Sequence, residues 1–305
     1  MDRQRVALAA RRLARAASLD LRPDSQLWRR AILAGTLHGP DAFVRYSPPL
    51  FGLAFAAALP ALRERVLRNL RRARGPRSAP QDALDVARIF ANFASSLTDA
   101  FIVASDRGER MYAEIEGEDA FLLARAQGRG MVVLTAHTSG WHAAGPVLAT
   151  DEAQPAILVM RRERDAAAQA IQELALERAG ARAMRLDGSD PLAALPLLQH
   201  LREGGVVAFQ IDRLPPQTRG RPVQFLGEDA ALPEGPFRLA ALAGAPILVV
   251  LGRRTGFMRY AMQASTPIVL PRRPSDAELD HAATRVAAAV EDFVRRHPTD
   301  WFDFG

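Results

Sequence analysis

Three observations predict an α/β fold: a mainly parallel central sheet flanked by helices, with a helical N-terminal region. After Ala113, short apolar runs alternate with stretches of helical period, as strands joined by crossover helices do. The run Met131-Val-Val-Leu-Thr-Ala136 is apolar, rich in β-branched residues, and bounded by Gly130 and a polar turn, which suits a buried strand. Before Ala113, only helical patterns are found. With 305 residues, 49% of them hydrophobic, the chain can bury one large core. We therefore expect a helical, membrane-facing region over 1–112 and an α/β core over 113–305, integrated into one domain.

Residues 1–18 read as a basic, Ala-rich helix or arm, and Gln26–Leu37 as a helix ended by His38-Gly-Pro. Arg11, Arg12 and Arg15 interrupt the apolar core a signal peptide needs. From Pro48 to Arg74 an apolar stretch precedes an Arg cluster, a pattern that fits an interfacial helix on anionic lipid as well as a packed helix with a solvated end. The most apolar window, Leu50–Leu62, is too short to span a bilayer, so no transmembrane helix is expected. Gln81–Ala104 reads as a long helix with Ile89, Phe90, Phe93 and Leu97 on one face, which needs a partner surface.

In the second part, Ile115-Glu-Gly reads as a short strand or turn and Ala120–Gln127 as a helix. Strands are expected at Met131–Ala136, Ala156–Met160, Arg182–Leu186, Val206–Ile211 and Ile247–Leu251. Helices are expected at Trp141–Ala149, Arg164–Ala179, Pro191–Arg202, Gly235–Ala243 and Asp276–Arg296. Met258–Ala264 adds an edge strand.

Composition narrows the chemistry. The chain has no cysteine, which excludes thiolate catalysis, disulfides and cysteine-ligated metals. All 40 basic residues are arginine, so a Schiff-base lysine and a P-loop are excluded too. The net charge of +6 and a pI near 10.8 favour acidic partners: anionic lipid, phosphopantetheine, CoA or nucleic acid. The basic residues are scattered or helical, without interleaved aromatics, which disfavours nucleic acid.

His137 follows the Met131–Ala136 run, at the carboxyl end of a strand where α/β sheets usually keep ligands. A histidine there can act as a general base near neutral pH. Ser139 is a plausible N-cap of the next helix, with His142 in the first helical turn, where the positive terminus favours a neutral ring. On a continuous helix the two histidines would stand roughly 140° apart. The intervening Thr138-Ser139-Gly140 turn lets them converge, so His142 can accept from the His137 ring and fix its tautomer. No third metal ligand lies nearby, and no metal or cofactor is expected. Asp212 closes the Val206–Ile211 run and serves either as an anchor for substrate and loop or as a structural cap. Gly235 and Pro236 open a helix whose N–H groups suit an oxyanion or phosphate, although Glu234 beside them opposes an anion.

Ala-His137-Thr-Ser-Gly-Trp-His142 resembles the His-x4-Asp/Glu signature of the glycerolipid and lysophospholipid acyltransferases, most of all the lauroyl/myristoyl acyltransferases of lipid A synthesis, with His142 in place of the acid. Further matching blocks are Asp212-Arg213, where the family shows Asp-Gln, the Val223-Gln-Phe-Leu-Gly227 hairpin, Pro233-Glu-Gly235, Gly244-Ala-Pro246, Arg161 after a sheet strand, and the closing Trp301 block. The resemblance runs from about Trp28 to the terminus.

It implies a glycerolipid-acyltransferase-like fold. It also implies transfer of an acyl group from an acyl carrier protein or CoA thioester to a hydroxyl or amine of a lipid acceptor, at the cytoplasmic face of the inner membrane. His137 would be the base and His142 its orienter. Thr138, Ser139, Trp141, Arg161, Asp212, Arg213 and Gly235 would contact substrate, with N–H groups of the Thr138–Trp141 turn stabilising the oxyanion. A lipid-binding homologue without turnover and a thioesterase are the alternatives.

Overall fold

The computed structural model describes residues 34–36, 38–105, 107, 111–141, 155–160, 180–186, 192–216 and 218–304, together with residues 169, 173, 176 and 177. The expected arm over 1–18, most of Gln26–Leu37 and most of the helices at Trp141–Ala149 and Arg164–Ala179 lie outside these residues.

The N-terminal region is helical: α1 (Asp41–Tyr46), α2 (Pro48–Ala58), α3 (Pro60–Arg74) and α4 (Ala79–Ala104). The apolar and basic halves of the 48–74 segment form two helices rather than one. Pro60 forces the preceding Leu59 out of helical geometry, to φ −122°, and then starts α3. Ser78 and Gln81 form a capping box that begins α4. Val86, Ile89 and Phe90 of α4 pack on Ala56 of α2, on Val66 and Leu70 of α3, and on Phe302.

Among the described residues, one helix is long and apolar enough to cross a membrane by length and composition, the segment Ala79–Val103 of α4. Within the fold, however, 56% of its apolar window is buried. Its carboxylates are also paired: Asp82 with Arg71 and Arg74 at 2.8 Å, Asp85 with Arg74 at 2.9 Å, and Asp99 with Arg254 at 2.7 Å. Those partners make α4 the central helix of the N-terminal layer.

The sheet has seven strands in the order β1 (Tyr112–Glu116), β9 (Arg259–Ala264), β8 (Ile247–Gly256), β2 (Met131–Thr135), β5 (Val206–Gln210), β3 (Ala156–Met160) and β4 (Ala181–Arg185). All neighbours run parallel except β8 and β9. Every residue of β2 is buried, as its unbroken apolar run requires. The strand at 259–264 is not an edge. β1 pairs outside it, and Tyr260 and Met262 are buried in the core. The edge role falls to the short 112–116 segment.

On the faces lie α5 (Glu118–Ala126), α6 (Leu195–Arg202), α7 (Gly235–Ala243) and α8 (Asp276–Arg296). α6 starts at Leu195 rather than Pro191, with Pro196 in its first turn. A separate hairpin, β6 (Gly220–Phe225) and β7 (Glu228–Pro233), precedes α7. Its two turn residues, Leu226 and Gly227, both have positive φ, the geometry that matches strand twist. α8 begins on a Ser275–Glu278 capping box and buries Leu279, Val286, Val290 and Phe293 in the main core. The chain then turns through Pro298–Asp300 and runs back across the carboxyl edge of the sheet.

Candidate active site

β2 and β5 are parallel neighbours in register, with Thr135 opposite Gln210. His137 and Asp212 each lie two residues beyond that pair, so both overhang the same sheet edge. The ladder extends by one more bond, from Ile211 N–H to the Thr135 carbonyl. The two side chains meet there. His137 Nδ1–H donates to Asp212 Oδ1 at 2.7 Å, and the His137 backbone N–H donates to Oδ2 at 3.0 Å. Trp301 Nε1–H reaches the same Oδ2 at 3.1 Å.

Asp212 is almost wholly enclosed, its side chain 2% exposed, while His137 is 29% exposed. Burial pushes the Asp212 carboxyl up, but the charge and hydrogen bonds of His137 and the indole N–H of Trp301 outweigh it and hold the group below its ordinary value. An ionised Asp212 fixes the proton of His137 on Nδ1 and leaves the Nε2 lone pair directed outward.

Asp212 is a partner for the His137 ring that the sequence reading did not assign. His142 and Arg161 lie outside the described residues. The turn after His137 also differs from the oxyanion-binding role expected of it. Thr138 N–H donates to Ala136, Ser139 N–H to Asp300, Gly140 N–H to Gly252 and Trp141 N–H to Thr138, all to carbonyl oxygens. None of the four is left for an anion. The Ser139 hydroxyl donates to Asp300 Oδ1 at 2.6 Å. Gly140 is required by packing. A Cβ there would lie 2.5 Å from the Cα of Gly252 on β8.

The C-terminal segment contributes contacts that sequence reasoning missed. Phe302 N–H donates to the His137 carbonyl at 2.6 Å, and Thr138 bridges Trp301. Asp300 also accepts from the Arg254 N–H at 3.3 Å, and the Arg254 guanidinium pairs with Asp99 of α4, which Tyr260 OH bonds at 2.9 Å. The Trp-Phe-Asp-Phe ending was visible in the sequence, but nothing local indicated where it would dock.

Arg213, half exposed, donates to the Phe302 carbonyl at 3.3 Å and to Asp303 Oδ1 at 3.4 Å, one peptide unit from the His137 carbonyl bond. Gly235 stands in a different group. Glu234 beside it is buried and paired with Arg221 at 2.7 Å and with Arg238, and Arg221 binds Asp276 and Asp280. None of these contacts involves His137 or Asp212.

A cavity of about 880 Å³, open solvent at its mouth included, lies between α1, α2 and α4, lined by Phe43, Phe55, Phe90, Phe93, Leu97 and Phe304 among others. Phe93 packs edge-on against both Phe302 and Phe304, so the cavity wall is continuous with the segment bonded to His137. The apolar face of α4 thus finds its partner surface in the other N-terminal helices and the C-terminal segment.

The sequence model of the bacterial lipid A biosynthesis acyltransferases matches residues 31–304. The chain belongs to this family. No curated protein matches it. The family assignment makes this lipid A-type acyltransferase an enzyme that moves acyl groups onto lipid, in a membrane-associated setting.

Proposed function

We propose that the protein transfers a fatty acyl group from an acyl thioester, on acyl carrier protein or CoA, to a hydroxyl or amine of a lipid acceptor, with His137 as general base. The observation that carries this reading is the His137–Asp212 pair, with Nε2 unpartnered among the described residues, beside an apolar cavity. Nε2 takes the proton of the acceptor as its oxygen or nitrogen attacks the thioester carbonyl. The tetrahedral oxyanion collapses, the C–S bond breaks, and the imidazolium returns the proton to the leaving thiolate. Asp212 keeps the tautomer and stabilises the imidazolium, the work its counterpart does in a Ser-His-Asp triad. With the N–H groups of the 138–141 turn occupied, Arg213 is our assignment for the cation that meets the oxyanion or the donor's phosphate.

The acyl chain lies in the cavity against α4. Phe43, Tyr46, Leu50, Phe51 and Leu53 are exposed on α1 and α2, and Arg63, Arg65 and Arg68 are exposed on α3. That surface suits peripheral attachment to an anionic bilayer, at the cytoplasmic face of the inner membrane.

Thiol release and acylated product, followed together in His137→Ala and Asp212→Asn variants, test the assignment. His137→Ala should lose roughly 10²–10⁴-fold. Asp212→Asn should lose about as much, because an amide would donate to Nδ1 and move the ring proton to Nε2. Full turnover by a folded His137→Ala protein sinks the proposal. Thiol release without any acceptor indicates hydrolysis instead.

A further inference from the structure

The helix that walls the cavity is tied to the sheet edge of His137 through polar side chains at Asn92 and Asp99. Asn92 Nδ2–H donates to the Thr299 carbonyl at 3.1 Å. Two turns on, roughly 10 Å along the axis, Asp99 is 1% exposed and pairs with Arg254 of β8. The guanidinium holds it as a fork: Nε donates to Oδ2 at 2.7 Å and Nη2 to Oδ1 at 3.3 Å, while Tyr260 OH donates to Oδ2 at 2.9 Å. The Arg254 backbone N–H donates to Asp300 Oδ1 at 3.3 Å, which also accepts from the Ser139 hydroxyl. Ser139 and Asp300 belong to the two short segments that pair around the base, with Ser139 N–H on the Asp300 carbonyl and Phe302 N–H on that of His137. On the other side of the ion pair, Phe93, Ala94, Leu97 and Thr98 line the cavity. A buried ion pair gains little stability over apolar side chains of similar volume, because desolvation offsets the attraction, but a planar fork accepts only one arrangement.

We infer that Asp99 and Arg254 are positioning residues for acyl transfer, setting the cavity wall against His137 so that a chain seated in the cavity presents its thioester carbonyl to Nε2. The inference rests on the reading that the cavity holds the acyl group of the transfer reaction. A long chain is anchored along α4, so the place of its carbonyl depends on where α4 stands relative to the base. A displacement of about 1 Å there costs on the order of 10²-fold in rate. A short chain has little contact with the cavity and reaches the base without that guide. Loss of the pair therefore penalises long donors more than short ones. It does so in kcat rather than KM, because the apolar contacts that bind the chain stay in place.

The full chain is assayed with palmitoyl and butyryl thioesters, each on CoA and on acyl carrier protein, with a bacterial lipid extract as acceptor. Asp99→Asn keeps the shape and removes the charge, and Arg254→Lys keeps the charge and removes the fork. In both, kcat with the palmitoyl donor should fall roughly 10-fold or more beyond any fall with the butyryl donor, with KM for the palmitoyl donor little changed. Equal losses for the two donors overturn the inference, since a residue that only holds the fold together lowers both alike. Unchanged kcat for both donors overturns it as well, as does a loss confined to KM. Should neither variant fold, Tyr260→Phe removes one donor to Asp99 and keeps the ring. It should show the same selective loss at smaller size, and an unselective loss or none overturns the inference. If wild type transfers no acyl group from any of the four donors, the proposed function falls and this inference with it. If wild type transfers and the variants lose both chain lengths alike, only this inference falls.

Discussion

Trp301 donates its indole N–H to Oδ2 of Asp212 across 3.1 Å, and Asp212 in turn bonds His137 Nδ1 at 2.7 Å. The C-terminal segment therefore holds the carboxylate that holds the base. Trp301→Phe removes the donor but keeps a ring for the edge contact with Phe225, whose centroid lies 5.8 Å away. We expect kcat to fall about 10-fold or more, the scale of a hydrogen bond to a charged group, with KM little changed. The downfield proton resonance of His137 Nδ1–H should shift or broaden. A drop in Tm alone, with kcat and the resonance intact, would mean Trp301 only packs.

The lowered Asp212 carboxyl sets a pH dependence. Its ordinary value is about 3.9, and the folded value lies below that. The stability it contributes is thus fully present above the ordinary value and is lost as pH falls through the lower folded one. The gap in unfolding free energy between wild type and Asp212→Asn should narrow as pH falls below about 4. Urea titrations across that range measure it. A gap that does not narrow there contradicts the pairing.

Gly52 of α2 faces α4 so closely that a Cβ would lie 2.3 Å from the Phe90 carbonyl oxygen. Gly52→Ala should push the helices apart and destabilise the protein by about 1–3 kcal/mol. Ala94 lines the same cavity without touching the His137 group. Ala94→Phe should shorten the acyl chain accepted while leaving turnover of short thioesters in place. An unchanged chain-length profile in folded Ala94→Phe and Leu97→Trp proteins removes the cavity from the acyl path.

The exposed apolar side chains of α1 and α2 and the exposed arginines of α3 predict reversible binding to anionic membranes. Flotation with anionic vesicles should carry the protein, high salt should release it, and Arg63→Glu with Arg68→Glu should weaken capture. Equal, salt-insensitive capture by neutral vesicles would leave the electrostatic part without support.

By itself the sequence determined the elements whose signal is local. The unbroken apolar run at 131–135 specified a central strand, and His137 at its end follows from the turn beside it. The Ser275–Glu278 box and a regular apolar stripe specified α8 over its full length. Both signals reside in residues a few positions apart, so periodicity and capping report them. The partners of those elements were decided only by the tertiary structure. Asp212 lies 75 positions from His137 and Trp301 a further 89 from Asp212, and they meet because β2 pairs with β5 and the terminus returns over the sheet edge. The same holds for the strand at 259–264, which looked like an edge until β1 paired outside it. Strand order and the docking of a terminus are set by the burial of whole faces, and no local period records which distant segment completes them.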